Sequence, residues 1–156
     1  MMSGFLGEYE CSLDSKGRVK LPSALLKQLA PENQVKFVVN RGFEQHLALY
    51  PIDEWNKKTE EIDKLNPYNR KTREFRRYFY RGATELVPDS SFRLLLPKSL
   101  MEWAKIGKDI ILSAHSNMVE IWDKKCYENL LNDEPDHFAE LAESVLGTKD
   151  ENLDEK

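Results

Sequence analysis

Two short strings in this chain carry the residue types that could do chemistry. "LDSKGRVKLP" starts at residue 13 and "VPDSSFRLLLP" at residue 87. In each, an acid stands four residues before an arginine, and a proline four residues after it: Asp14, Arg18 and Pro22, then Asp89, Arg93 and Pro97. Asp and Ser between two apolar strands make a turn, because the short side chain binds nearby backbone amides. Gly17 can take positive φ in the first copy; Phe92 stands at that place in the second. Arginine brings a planar fork of donors that fits a carboxylate, a phosphate or a guanine edge. Lys16, Arg18 and Lys20 alternate, so they share one face if a strand starts at the turn. Three cations in register form a phosphate-scale patch. A plain structural reading stands beside this one. Asp14 binds turn amides, Arg18 pairs with it, and the motif is a hairpin corner, since exposed charge pairs contribute little.

Catalysis has no comparable support. The histidines are His46, His115 and His137, and none sits in a metal pattern such as H-E-x-x-H. No G-x-S-x-G or P-loop is present. The acids of "DEPDH" around His137 read as a solvated helix start. The expectation is no enzyme, no metal, no cofactor and no small-molecule substrate. Cys11 and Cys126 lack metal spacing and read as reduced, buried thiols of a cytoplasmic protein. No apolar run approaches the ~18 residues of a membrane span, and the start has no secretory pattern.

Net charge is -4, which argues against a polyanion partner until its distribution is read. Residues 1–82 hold 15 Lys+Arg against 11 Asp+Glu, and residues 83–156 hold 8 against 16. Binding depends on the local field rather than the total. The first half can meet a polyanion, and the acidic second half argues against uniform wrapping.

The elements that must position the two strings are themselves duplicated. Asp14, Arg18 and Pro22 map onto Asp89, Arg93 and Pro97 at an offset of 75. Further on, "VKFVVNRGFEQHLALYPIDEW" (35–55) maps onto "DIILSAHSNMVEIWDKKCY" (109–127) at an offset of 72. Each copy reads strand, turn, strand, short helix with proline in its first turn, strand, turn, strand, helix. A half of this size buries too little surface to stand alone, and no Gly/Ser-rich spacer separates the copies. One α+β unit with internal pseudo-two-fold symmetry is expected. Between the copies, "NRKTREFRRYFYR" is a helix with Phe75, Tyr78 and Phe79 on one face and six cations against Glu74. It either lines a DNA surface or meets the acidic residues of a neighbouring subunit, as aromatics interleaved with arginines do at interfaces. A last helix carries Phe138, Leu141 and Val145. The expected segments are 5–65, the basic helix 66–82, 83–132, a C-terminal helix 133–147, and a disordered acidic tail 148–156.

"FLGEYECSLDSKGRVKLP" and "FYRGATELVPDSSFRLLLP", with the aromatic-arginine helix before the second, resemble the MraZ family over about Phe5 to Leu146. Each half is similar to the AbrB/SpoVT swapped-hairpin DNA-binding module. The resemblance implies a fold of two β-β-α-β-β halves sharing one core. It implies a cytoplasmic, nucleoid-associated transcription regulator of the bacterial division and cell-wall gene cluster. Such a regulator binds double-stranded DNA at direct repeats upstream of its own operon, as a closed ring homo-oligomer. Residue by residue, the family's D-x-K-G-R turn falls on Asp14, Lys16, Gly17 and Arg18, and Arg18 is the position expected to touch DNA. Lys16, Lys20 and Arg93 complete the expected DNA-binding set, with Asp14, Gly17 and Asp89 forming the turns. Phe92 departs from the family's usual glycine. The second turn is therefore expected either to follow a different path or to pay strain. Without a cation beside it, Arg93 is expected to contribute less than Arg18. The alternative is an interaction or assembly module of the same fold without specific DNA binding.

Overall fold

The computed structural model describes residues 4–131 and 134–154, with side chains described through residue 147. The first half contains β1 (Gly7–Ser12), β2 (Arg18–Lys20), α1 (Ser23–Leu26), a 3-10 turn at Pro31–Asn33, β3 (Phe37–Arg41), β4 (Leu47–Pro51) and α2 (Ile52–Asp63). After the Asn66-Pro67 break comes α3 (Arg70–Tyr80). The second half repeats the series with β5 (Thr84–Leu86), β6 (Arg93–Leu95), α4 (Lys98–Trp103), β7 (Asp109–His115), β8 (Met118–Asp123) and α5 (Lys124–Leu130), and α6 (Pro135–Asp154) closes the chain. Local chemistry sets these limits. Pro22 and Pro97 occupy the N-caps of α1 and α4, with φ near the value proline imposes. Asn69 caps α3, its Oδ1 accepting from the Lys71 N–H at 2.8 Å.

The antiparallel sheet has the order β1-β7-β8-β4-β3-β5, and β2 pairs with β6 in a separate two-stranded ribbon. Both orders are palindromic under exchange of the halves. At the centre of the sheet Ala48 faces Glu120, with Leu47 opposite Ile121 and Leu49 opposite Val119. At the centre of the ribbon Val19 faces Leu94. The pseudo-two-fold axis runs through these two pairs. β1 of the first half joins β7 of the second, and β5 of the second joins β3 of the first, so each half completes the other's pairing. That exchange is the swapped hairpin.

The core lies between ribbon and sheet. Val19 and Leu94 are wholly buried, as are Leu47, Leu49, Ile110, Leu112 and Ile121. Each such side chain contributes about 1.5–3 kcal/mol on burial. α3 is tied to the first half: Phe79 stacks on Trp55 at 5.3 Å, and the Asn40 side-chain amide donates to the Phe79 carbonyl at 3.0 Å.

Several expectations need correction. Lys16 lies in the turn rather than on β2, whose first residue is Arg18, so only Arg18 and Lys20 share a strand face. Cys11 and Cys126 are free thiols but half-buried rather than buried. α6 is helical to Asp154, beyond residue 147, and no proline or glycine stands between Thr148 and Asp154 to stop it. The expected boundary at 132–133 and the last two residues, 155–156, lie outside the described residues.

Candidate nucleic-acid interface

The two turns are built identically from the backbone upward. In the first, the Asp14 N–H donates to the Arg18 carbonyl at 3.0 Å and the Gly17 N–H to the Asp14 carbonyl at 3.0 Å. In the second, Asp89 and Arg93 repeat the first bond at 3.1 Å, and Phe92 and Asp89 the second at 2.9 Å. The side chains match too. Asp14 Oδ1 accepts from the amides of Lys16 and Arg18, both at 2.9 Å, and its Oδ2 accepts from Arg18 Nε at 2.7 Å. Asp89 Oδ1 accepts from Ser91 and Arg93 at 2.9 and 3.0 Å, and its Oδ2 from Arg93 Nε at 2.7 Å. In each turn the arginine's amide is the chief cause holding the aspartate below the ordinary carboxylate pKa. The hairpin-corner reading of Asp14 is therefore correct as structure.

Phe92 follows the strained branch of the expectation rather than a different path. Its φ is 58°, against 82° at Gly17, so the turn shape is kept and the side chain bears the cost. The ring changes the surroundings instead. A hollow of about 1070 Å³ lies beside the first turn, lined by Gly17, Leu96, Pro97 and Met101 among others. Its symmetry mate beside the second turn is lined by Phe92, Leu21, Pro22 and Leu26 and measures about 520 Å³. Phe92 lines the smaller hollow where Gly17 lines the larger.

The ribbon brings the candidate residues together. Directly opposed residues of an antiparallel pair project to the same face. Arg18 faces Leu95 and Lys20 faces Arg93, so Arg18, Lys20, Arg93 and Leu95 form one outer face while Val19 and Leu94 fill the inner one. Lys16 stands exposed at the tip of the first turn. The sequence left Arg93 without a neighbouring cation; the register supplies Lys20. Each aspartate occupies only the Nε–H of its arginine among the described bonds, which leaves the Nη donors free to meet a ligand. The Arg18 and Arg93 side chains are 26% and 35% exposed, enough to present a fork and too little to let it wander. No ion pair among the described residues engages Lys16 or Lys20.

Comparison with known proteins shows the family. A family profile described as "MraZ protein, putative antitoxin-like" matches twice, over residues 4–78 and 79–149. The chain belongs to the MraZ family. It is 47% identical over 150 residues to a protein named transcriptional regulator MraZ from Christiangramia forsetii, covering 96% of this chain and 97% of the relative. A protein of the same name from Flavobacterium psychrophilum is 44% identical over 147 residues, covering 94% of each. One from Cytophaga hutchinsonii is 40% identical over 145 residues, covering 93% and 96%. The MraZ relatives carry the name of transcriptional regulators, not of enzymes. The two profile matches begin 75 residues apart, the offset of the turn motif, and divide the chain within the last turn of α3. Among the described residues no helix is long and apolar enough to cross a membrane.

Two features escaped the sequence reading. One is the cross-pairing of Lys20 with Arg93, whose only signal was the apolar centre of each string. The other is a polar cluster at the β4–β8 seam. His46 is 3% exposed and stacks on Trp122 at 4.5 Å. Trp122 Nε1 donates to Glu120 at 2.9 Å, and both His46 and His115 approach the same carboxylate at 3.7 Å. Burial is the main cause holding His46 below the ordinary histidine pKa. His46 is thus a core histidine, and His115 an exposed one.

Proposed function

We propose that the chain is a sequence-specific DNA-binding regulator whose reading head is the β2–β6 ribbon with its two turns. The observation that carries this is the matched pair of Asp–Arg turns on one ribbon, each fixing an arginine by its Nε and leaving its outer donors unspent. The major groove of B-DNA, about 12 Å wide, admits a two-stranded ribbon. Arg18 and Arg93 read guanine edges, and Lys16 and Lys20 neutralise phosphates. Asp14 and Asp89 are positioning residues: they prepay the orientation of forks that would otherwise lose rotamer freedom on binding. One bidentate arginine supplies only about 1–3 kcal/mol of discrimination. A ring of copies facing tandem repeats multiplies affinity through effective concentration. The reading is therefore a nucleoid-associated ring homo-oligomer that binds repeats upstream of its own operon in the division and cell-wall gene cluster.

The test is fluorescence anisotropy with the DNA upstream of the protein's own operon against scrambled DNA, at several salt concentrations, with wild type and Arg18→Ala. Tight, salt-sensitive binding to the native DNA alone, lost in the variant, is the expected result. Equal weak binding to both DNAs, unchanged by the substitution, refutes it and favours an assembly module of the same fold.

A further inference from the structure

The hollow of about 1070 Å³ beside the first turn joins an apolar wall to a set of cations. Leu13, Leu86 and Leu96 line it and are buried. Val87 and Leu95 line it too, yet are 70% and 56% exposed. Exposed apolar side chains on the wall of a concavity mark a binding surface. Gly17 leaves its part of the wall without a side chain, and a Cβ there would stand 3.1 Å from the tip of Met101, another lining residue. The pseudo-symmetric hollow, with Phe92 at that place, measures about 520 Å³.

The charged lining is one-sided once its ion pairs are taken into account. Among the described residues two acids line the larger hollow, Asp14 and Glu85. Each is paired with a cation that does not line it: Asp14 with Arg18 at 2.7 Å, and Glu85 with Lys36 at 3.3 Å. Three lysines line it, Lys16, Lys98 and Lys108. All three are exposed, and none is in an ion pair among the described residues. They come from the first turn, the first residue of α4 and the residue before β7. The fold thus gathers unopposed positive charge from three separate elements around one apolar hollow.

We infer that this hollow binds a free, single-chain anionic amphiphile: an alkyl or acyl chain ending in a phosphate or a carboxylate. The chain lies against Leu86, Val87, Leu95 and Met101, and the head meets Lys16, Lys98 and Lys108. A DNA phosphate alone would use the lysines and leave the apolar wall in water. A neutral apolar ligand would cover the wall and leave the lysines unopposed. A ligand with both parts satisfies both. Lys16 also belongs to the proposed reading head, so the bound head group takes that cation from DNA and sets a negative charge beside the first turn. Amphiphile and DNA then oppose each other. This regulatory consequence rests on the DNA-binding reading above; the site itself does not.

The test is titration calorimetry of the full chain with octyl phosphate below its micelle concentration. 1-Octanol and inorganic phosphate serve as controls that carry one part each. Wild type is expected to take up one octyl phosphate per chain, with each control at least about tenfold weaker. Lys98→Gln with Lys108→Gln, and separately Val87→Asp, should each weaken uptake by about tenfold. These positions are exposed, and circular dichroism confirms folding. In anisotropy with the upstream DNA, saturating octyl phosphate should weaken wild-type binding severalfold, and the two-lysine variant less at the same concentration. If wild type takes up no octyl phosphate, the inference fails, and the DNA reading is judged separately by anisotropy without ligand. If in that case the two-lysine variant also binds DNA more weakly, the lysines are phosphate contacts. If wild type instead sediments with phosphatidylglycerol vesicles and takes up no octyl phosphate, the surface meets a membrane and the inference fails. Uptake that both variants retain unchanged overturns the location. Uptake that leaves specific DNA binding unchanged overturns the regulatory consequence.

Discussion

Gly17→Ala separates two roles that glycine could have in the first turn. The position has φ of 82°, and an added Cβ would sit 3.1 Å from the end of the Met101 side chain. An L-residue in that conformation costs roughly 1–2 kcal/mol. Removing glycine's freedom from the unfolded chain returns about 0.4–1 kcal/mol. The Met101 contact is with the tip of a flexible side chain and relaxes cheaply. The expected net loss therefore lies between about 0 and 1.6 kcal/mol, and 1 kcal/mol corresponds to about 2–4 °C in Tm for a domain of this size. Phe92 is the internal control: a full aromatic residue occupies the equivalent place at φ of 58° with every turn bond retained. Arg18 should thus stay on Asp14, and DNA affinity should fall less than about tenfold, below the ~1.4 kcal/mol that a decade represents. The assay pairs a thermal melt with anisotropy on the upstream DNA. If Gly17→Ala keeps its Tm within this window but loses binding a hundredfold, glycine is there to let DNA approach the backbone. If it unfolds, the equivalence of the two turns is wrong.

Three further predictions follow from the same geometry. Because the turns match bond for bond and Lys20 stands across from Arg93, Arg18→Ala and Arg93→Ala should weaken specific DNA binding to similar extents, each by about 1–3 kcal/mol; a Kd change confined to Arg18→Ala would contradict the ribbon as a two-armed reader. Asp14 and Asp89 are held below their unfolded pKa of about 3.9, so the unfolded chain binds more protons and stability falls as pH drops below about 4. The double variant Asp14→Asn/Asp89→Asn should show a flatter acid branch in denaturant melts, and an unchanged branch would mean the turns do not carry that linkage. Residues 1–82 and 83–156 expressed separately should each fail to give a cooperative melt as monomers and should regain one when co-expressed, since β1, β2, β5 and β6 have partners only in the other half. A monomeric, cooperatively folded half would refute the exchange.

Much of this fold was legible because the repeat is carried by residues with strict local meaning. Asp, Pro and the strand alternation recur at fixed offsets, and a duplicated pattern of that kind can bury its apolar faces only against its copy. The same residues marked the candidate site: all four cations expected to meet DNA belong to one ribbon and its turns. What was not legible is pairing across the repeat. Nothing local to "SSFRLLL" says that Lys20 lies opposite Arg93, because register between distant strands is set by the Val19–Leu94 contact in the core. Phe92 left two outcomes open, a new path or a strained one, and the choice depended on whether the turn's five hydrogen bonds outweighed about 1–2 kcal/mol of backbone strain. The His46–Glu120–Trp122 cluster was hidden for a similar reason. His46 lies beside Gly42 near a hairpin turn of the first half, and Trp122 and Glu120 of the second half cover it only once the two halves meet.

The proposed function turns on paired arginines of the ribbon reading guanine edges in the major groove. The most direct measurement replaces guanines of the bound repeat, one at a time, with 7-deazaguanine, which keeps Watson–Crick pairing but lacks the N7 acceptor. Wild type should lose affinity at the contacted guanines, by about tenfold for the loss of one charge-assisted hydrogen bond of ~1.5 kcal/mol. Arg18→Ala and Arg93→Ala should each become indifferent to replacement at one of those guanines. Sensitivity that is absent in wild type, or that persists unchanged in both arginine variants, would contradict the account.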